Sequence, residues 1–90
     1  MTATTSTHVI DTIRAYLSEH FPDRAAEIAR LAPDVSLFAL GFIDSLFFLN
    51  LVSFIEERFA ISVPALDFAP DNFRTLNDIM TYISIKATGA

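Results

Sequence analysis

The stretch GFIDSLFFLNLVSFIEERF, residues 41–59, decides how this chain folds. Asp44 is a residue type that caps the N-termini of helices, so we expect a helix that begins at Ser45 and ends near Phe59. At about 100° per residue, one stripe of this helix is apolar and wide enough to bury the helix against a core. The stripe consists of Phe48, Leu51, Val52, Ile55 and Phe59.

The same helix carries more large apolar side chains than one buried stripe accommodates. Leu46 and Leu49 lie on a second side, in the same sector as Ser53 and Glu57. We expect Leu46 and Leu49 to form an exposed docking patch bordered by Glu56 and Glu57, because apolar patches on a surface mark interaction sites. The alternative is that both leucines pack under a neighbouring loop.

Two phenylalanines of this helix point in a third direction. Phe47 and Phe54 are seven residues apart and therefore share one side of a helix. The pattern leaves two interpretations open for them, cover by a loop or exposure to solvent.

The rest of the chain predicts an all-α fold. A first helix runs from His8 until Pro22 stops it, and a last helix follows Thr75. Asp23 is expected to cap a short second helical turn, residues 25–31, which Pro33 ends. Another short helical turn is expected near Asn72, and a long structured loop, residues 34–44, precedes the Ser45 helix. This loop is expected to bury apolar side chains, namely Leu37, Phe38, Leu40, Phe42 and Ile43. We expect residues 1–90 to form one domain, with loose tails at 1–7 and 87–90.

Composition and charge exclude several classes of function. The chain has no cysteine, which removes disulfides and thiolate metal sites, and we expect no metal role for His8 or His20. Eleven acidic residues against six basic ones give a net charge of −5, which disfavours nucleic acid as a partner. No signal peptide and no membrane span are visible, so we expect a cytoplasmic protein. Nothing indicates oligomerisation, so we expect a monomer.

Ser45 has three chemical interpretations. As a catalytic nucleophile it needs an adjacent base, but both histidines lie far away in sequence and no G-x-S-x-G elbow is present. We therefore expect no catalytic residue. The hydroxyl could also cap helix N–H groups, or another enzyme could modify it. A phosphoryl group at a helix N-terminus meets free N–H donors, although the charge of Asp44 opposes it.

Motifs around Ser45 resemble the acyl carrier protein family, including the related peptidyl and aminoacyl carrier domains. The family's core motif, a glycine, a variable pair and then Asp-Ser-Leu, is matched by Gly41, Asp44, Ser45 and Leu46. An acidic pair, an aromatic residue and a β-branched residue before proline follow as Glu56, Glu57, Phe59, Ile61, Val63 and Pro64. The family's Phe-x-Thr entry to the last helix appears as Phe73 and Thr75. The resemblance covers about residues 35–83.

The resemblance implies a right-handed four-helix bundle, with the long loop between its first and second helices, in which Ser45 carries 4′-phosphopantetheine from coenzyme A. A phosphopantetheinyl transferase attaches this arm, and Asp44 is expected to be both the helix cap and a residue that the transferase reads. The arm's thiol then holds acyl or aminoacyl groups as thioesters, supplied by a loading ligase or an acyltransferase and used by downstream biosynthetic enzymes. Residues expected at partner-docking positions are Leu46, Phe47, Leu49, Asn50, Ser53, Glu56 and Glu57.

Some positions depart from the carriers of fatty-acid synthesis. Those carriers usually have charged or polar residues directly after Asp-Ser-Leu, where this chain has Phe47, Phe48 and Asn50. We therefore expect a dedicated carrier of a specialised pathway of the polyketide, fatty-acid or nonribosomal-peptide type. The alternative is a helical bundle of carrier type that is never modified and acts only by binding partners. The sequence leaves the cargo open between an amino acid and an acyl chain.

Overall fold

Four α-helices and three single turns of 3-10 helix make up the regular structure. The computed structural model describes residues 6–87, with side chains from residue 8 onward. The helices are α1 (Ser6–His20), α2 (Ala25–Ala29), α3 (Ser45–Phe59) and α4 (Leu76–Ala87), and the turns are Pro22–Arg24, Ala65–Asp67 and Pro70–Asn72. No strand occurs in these residues, so the predicted all-α bundle is confirmed. None of these helices is long and apolar enough to cross a membrane.

Side-chain caps explain where the two C-terminal helices begin. Asp44 has an extended backbone, and its carboxylate accepts a hydrogen bond from the Phe47 N–H at 2.8 Å, so α3 starts at Ser45 as predicted. The α3 helix ends at Phe59 because Ala60 adopts the left-handed conformation, with φ of 56°. The hydroxyl of Thr75 accepts from the Asp78 N–H at 3.0 Å and caps α4.

The short helix α2 depends on contacts with α1. Five residues are too few to form a stable helix alone. Arg14 of α1 donates hydrogen bonds to the carbonyl oxygens of Ile28 and Leu31, at 2.6 and 2.8 Å. These carbonyls lie at the C-terminal end of α2, where a positive charge stabilises a helix. The helical turns predicted after Asp23 and near Asn72 are both present, the first as α2 and the second as the 3-10 turn Pro70–Asn72. Because α2 is an α-helix of its own, the long loop lies between α2 and α3 and not between the first and second helices as expected.

The core takes side chains from all four helices and from the loop before α3. Fully buried side chains include Ile13, Ile28, Leu37, Ile55 and Ile79. The backbone of the loop is tied to the start of α4, because the Leu37 N–H donates to the Arg74 carbonyl at 2.8 Å. Leu37, Phe42 and Ile43 are buried as predicted and Phe38 is half-buried, but Leu40 is 37% exposed, so its prediction as a core residue was wrong.

The chain ends depart slightly from the predicted tails. The α1 helix already includes Ser6 and α4 includes Ala87, so both helices extend into segments that were expected to be loose. The remainder of the predicted tails, residues 1–5 and 88–90, lies outside the described residues.

Candidate functional site

Ser45 stands at the surface because the residues just before it are anchored in the core. Gly41 has φ of +83°, a left-handed conformation that favours glycine, and turns the loop toward α3. Phe42 and Ile43 are then buried, at 1% and 4% exposure. Asp44 and Ser45 follow as exposed residues, with Ser45 in the first position of α3. The buried residues of the motif thus hold Ser45 at the protein surface.

An arginine that the sequence analysis did not single out covers the base of this loop. The guanidinium carbon of Arg24 lies 3.7 Å from the centre of the Phe42 ring. The same guanidinium donates two hydrogen bonds to the carboxylate of Glu27, both at 2.8 Å. These hydrogen bonds lower the pKa of Glu27, which stays ionised and keeps Arg24 in place. Arg24 ends the 3-10 turn Pro22–Arg24, and no sequence pattern around it predicts this stacking on Phe42.

The cap on α3 yields a test that separates two roles of Asp44. Replacing Asp44 with alanine leaves the Phe47 N–H without its acceptor and should lower the free energy of unfolding by about 1 kcal/mol. Asp44→Asn should keep most of the stability, because asparagine caps helices as well as aspartate does. Urea denaturation measures this difference, which reports on the cap. A role of the carboxylate charge in recognition predicts that both variants react more slowly with a phosphopantetheinyl transferase. Equal stability of the alanine variant and the parent would contradict the role as a cap.

The second side of α3 is exposed. Leu46 is 70% exposed and Leu49 is 51% exposed, so the alternative in which they pack under a loop was wrong. Three of the four polar residues predicted for docking, Asn50, Ser53 and Glu57, are exposed as well. These five residues are called the α3 outer face.

Leu66 is a further exposed apolar side chain, outside the α3 outer face. It is 95% exposed, on the 3-10 turn Ala65–Asp67. This turn lies beside the first turns of α3, because the ring of the neighbouring Phe68 packs on that of Phe48 with centroids 6.2 Å apart. Sequence analysis missed Leu66, since the segment around it has no helical period.

Two residues predicted for docking have side chains that the fold engages. The carboxylate of Glu56 accepts a hydrogen bond from the Val63 N–H at 2.8 Å, so its side chain holds the segment after α3 rather than bordering a patch beside Glu57. Phe47 is half-buried, with its ring 5.7 Å from that of Tyr16 in α1 and 5.5 Å from that of Phe21, which directly follows α1.

The third side of α3 faces α1, which neither interpretation of Phe47 and Phe54 had foreseen. The Phe54 ring stacks on Tyr16 with centroids 4.0 Å apart. His20 joins the same group, with its ring 4.5 Å from that of Tyr16. Both interpretations of Phe47 and Phe54 were therefore wrong. The two rings are half-buried against Tyr16 of α1 and are neither covered by the loop nor left in solvent.

The two histidines of the chain pack beside aromatic rings. Within residues 8–87, no three side chains of His, Cys, Asp or Glu come together as a group that could hold a metal ion. His20 packs among the rings of Tyr16 and Phe47, and the ring of His8 lies 6.5 Å from that of Phe59. Arg74 forms an ion pair with Asp71, which favours a structural role for this arginine.

Comparison with known proteins identifies the family. Residues 11–83 match the model of a family described as the phosphopantetheine attachment site. The chain belongs to this family. It is a carrier protein whose cofactor is 4′-phosphopantetheine, as the resemblance of its motifs implied.

Two D-alanyl carrier proteins are among its relatives. The carrier is 36% identical to the one from Bacillus velezensis over 52 residues, which are 58% of this chain and 67% of the relative. It is also 36% identical to the one from Bacillus subtilis over 58 residues, 64% of this chain and 74% of the relative. Carrier proteins of this kind are generally not catalysts, and they interact with a transferase and with biosynthetic enzymes.

The residues around Ser45 fit the cofactor chemically. The first N–H groups of a helix have no partners within the helix, and they attract phosphate together with the positive end of the helix dipole. Ser45 is the first residue of α3 and is exposed, so a phosphate on its oxygen would lie near these groups while the rest of the arm extends into solvent. Asp44 already uses the Phe47 N–H, and its charge opposes a second anion.

Proposed function

We propose that Ser45 is the attachment serine and that the protein carries acyl or aminoacyl groups as thioesters. The observation that carries the proposal is the exposed hydroxyl at the first position of α3, within the Asp44-Ser45-Leu46 motif and inside the segment that matches the family. Ser45 Oγ would form a bond to the phosphorus next to pantetheine in coenzyme A. The diphosphate bond breaks, adenosine 3′,5′-bisphosphate leaves, and the hydroxyl proton passes to a base of the transferase.

The arm supplies a function that the chain itself lacks. The attached group brings a thiol, which forms thioesters with activated carboxylic acids. With no cysteine in its sequence, the protein has no thiol of its own that could compete for cargo. Its residues therefore act by presenting the arm and by binding enzymes, and Asp44 orients the start of α3 for the transferase.

We propose an amino acid as the cargo in preference to a long acyl chain. The two relatives are D-alanyl carrier proteins, which supports an aminoacyl group loaded by a ligase. The carrier would serve a specialised biosynthetic pathway as a cytoplasmic monomer. A polyketide or fatty acyl group loaded by an acyltransferase is the second candidate, favoured by the apolar residues that follow Leu46.

Partner enzymes are proposed to dock on the α3 outer face. Exposed apolar side chains next to the attachment residue offer contact area, and the net charge of −5 would steer the carrier toward basic surfaces. Weak docking suits a carrier, which must leave each enzyme after every transfer. Glu57 is the carboxylate of this face, whereas Glu56 and Phe47 would influence docking only through the fold.

Leu49 offers a test of this docking surface with a matched control. We expect Leu49→Ser to lower the kcat/KM of the transferase by about tenfold, since losing about 1.4 kcal/mol of contact energy corresponds to that factor. Ile85→Ser is the control, because Ile85 is 53% exposed, close to the 51% of Leu49, but lies on α4. Both variants should unfold at the same urea concentration as the parent. An equal loss of rate in both would contradict a docking role for α3.

The proposal as a whole is tested by intact mass. The purified protein is incubated with coenzyme A, Mg²⁺ and a transferase of broad specificity. We expect the mass to rise by one phosphopantetheine, and no rise with several active transferases would instead support the unmodified interaction module.

A further inference from the structure

Four phenylalanines form a continuous group of rings beside the attachment residue. The ring of Phe48 is the centre, 5.5 Å from Phe73 and 6.2 Å from both Phe38 and Phe68, measured between ring centroids. Phe73 is fully buried, Phe38 and Phe48 are half-buried, and Phe68 is 38% exposed. The group, called the aromatic wall, therefore extends from the surface into the core.

The aromatic wall stands between Ser45 and the interior of the bundle. Phe48 follows Ser45 by one turn of α3, about 60° away around the helix axis, so the two side chains are neighbours. Phe38 comes from the loop before α3, Phe68 from the segment after it, and Phe73 from the entry to α4. The side chains of three separate segments thus pack against Phe48 of α3.

This packing blocks the nearest apolar interior that a cargo on the arm could enter. A long alkyl chain in water favours burial, and from Ser45 the shortest way into the core passes Phe48. Aromatic rings at these separations are in contact, and protein interiors are packed too densely to admit a chain without displacing side chains.

We propose that the cargo is short and polar, of the aminoacyl class, that it stays outside the bundle, and that Phe48 determines this specificity by blocking the interior. The inference rests on the proposed attachment at Ser45. The packing of the aromatic wall narrows the possible cargo to groups that stay in solvent. An aminoacyl thioester keeps a charged ammonium group, which gains nothing from an apolar interior and is best solvated at the surface.

Two acylated forms that differ only in chain length test the proposal. A transferase of broad specificity is given acetyl-coenzyme A or octanoyl-coenzyme A, and intact mass confirms one acylated arm per chain. We expect the melting temperatures of the two forms to agree within about 2 °C, because a chain in solvent adds no stability. A higher melting temperature of the octanoyl form, by more than this margin, would overturn the proposal.

Phe48→Ala removes the central ring of the wall and should admit the octanoyl chain. In this variant we expect the melting temperature of the octanoyl form to exceed that of the acetyl form by about 4 °C or more. Phe59→Ala is the matched control, since Phe59 is also half-buried on α3 but lies at the far end of the helix from Ser45, with its ring 6.5 Å from that of His8, and its two forms should melt together. The same melting temperature for both forms of a folded Phe48→Ala protein would exclude Phe48 as the block.

The two proposals fail in different ways. If Ser45 is not the attachment residue, no coenzyme A derivative adds mass through it. If the arm attaches but octanoyl stabilises the parent protein, attachment stands and the inference on cargo is wrong. The comparison of the parent's two acylated forms remains decisive even if Phe48→Ala does not fold.

Discussion

Ser45→Ala is expected to abolish uptake of phosphopantetheine completely while leaving the fold intact. The substitution removes the side-chain hydroxyl at the first position of α3, so no bond from Oγ to phosphorus can form there. Ser45 is exposed, and substitutions at such surface positions usually change the free energy of unfolding by less than about 0.5 kcal/mol. Intact mass after treatment with the transferase, beside a urea denaturation curve, measures both effects.

Ser53→Ala is the matched control for this prediction. Ser53 is an exposed serine on the same helix, two turns beyond Ser45, and belongs to the α3 outer face. Its alanine variant should still take up one phosphopantetheine per chain, at the parent's rate or more slowly, because a docking contact is lost. Uptake by the Ser45→Ala protein would mean that another hydroxyl accepts the arm, and the assignment of Ser45 would then be wrong.

Phe73→Ala is expected to have the largest effect on stability. The ring is fully buried and contacts those of Phe48 and Tyr82, with centroids 5.5 and 5.1 Å away. Removing a buried phenylalanine ring costs about 3–5 kcal/mol, because apolar burial is lost and a cavity remains. Since whole domains are stable by about 5–15 kcal/mol, the variant should be partly unfolded or unfold at a much lower urea concentration. Circular dichroism during urea titration measures this change.

Phe68→Ala provides the comparison within the same group of rings. Phe68 is 38% exposed and contacts Phe48, so its removal leaves a site open to water instead of an internal cavity. We expect a loss of about 1 kcal/mol, well below that for Phe73. Similar losses for the two variants would contradict the arrangement in which Phe73 lies in the core and Phe68 at its edge.

The parts of the fold that short-range rules govern were predicted correctly from the sequence. Asp44 and Thr75 cap the helices that follow them, and α3 ends at Phe59 as expected. These features depend on residues within a few positions of each other. The motif from Gly41 to Leu46 is equally local, so its resemblance to the carrier family could be seen without a structure, and the attachment at Ser45 stays a prediction.

Features that depend on distant parts of the chain could not be predicted. Phe47 and Phe54 pack against Tyr16 of α1, a contact that spans more than thirty positions. Glu56 looked like a solvated carboxylate, but a backbone N–H seven residues later takes its oxygen. The helical period of α3 shows how many sides are apolar, but it cannot show which neighbour each side meets.

A count of thiols tests the central claim most directly, because the chain has no cysteine and any thiol must come from the arm. The protein is treated with coenzyme A and transferase, freed from small molecules, denatured, and titrated with a thiol reagent. We predict about one thiol per chain for the parent and none for Ser45→Ala. No thiol in the parent, or one in the Ser45→Ala protein, would contradict the claim that Ser45 carries the arm.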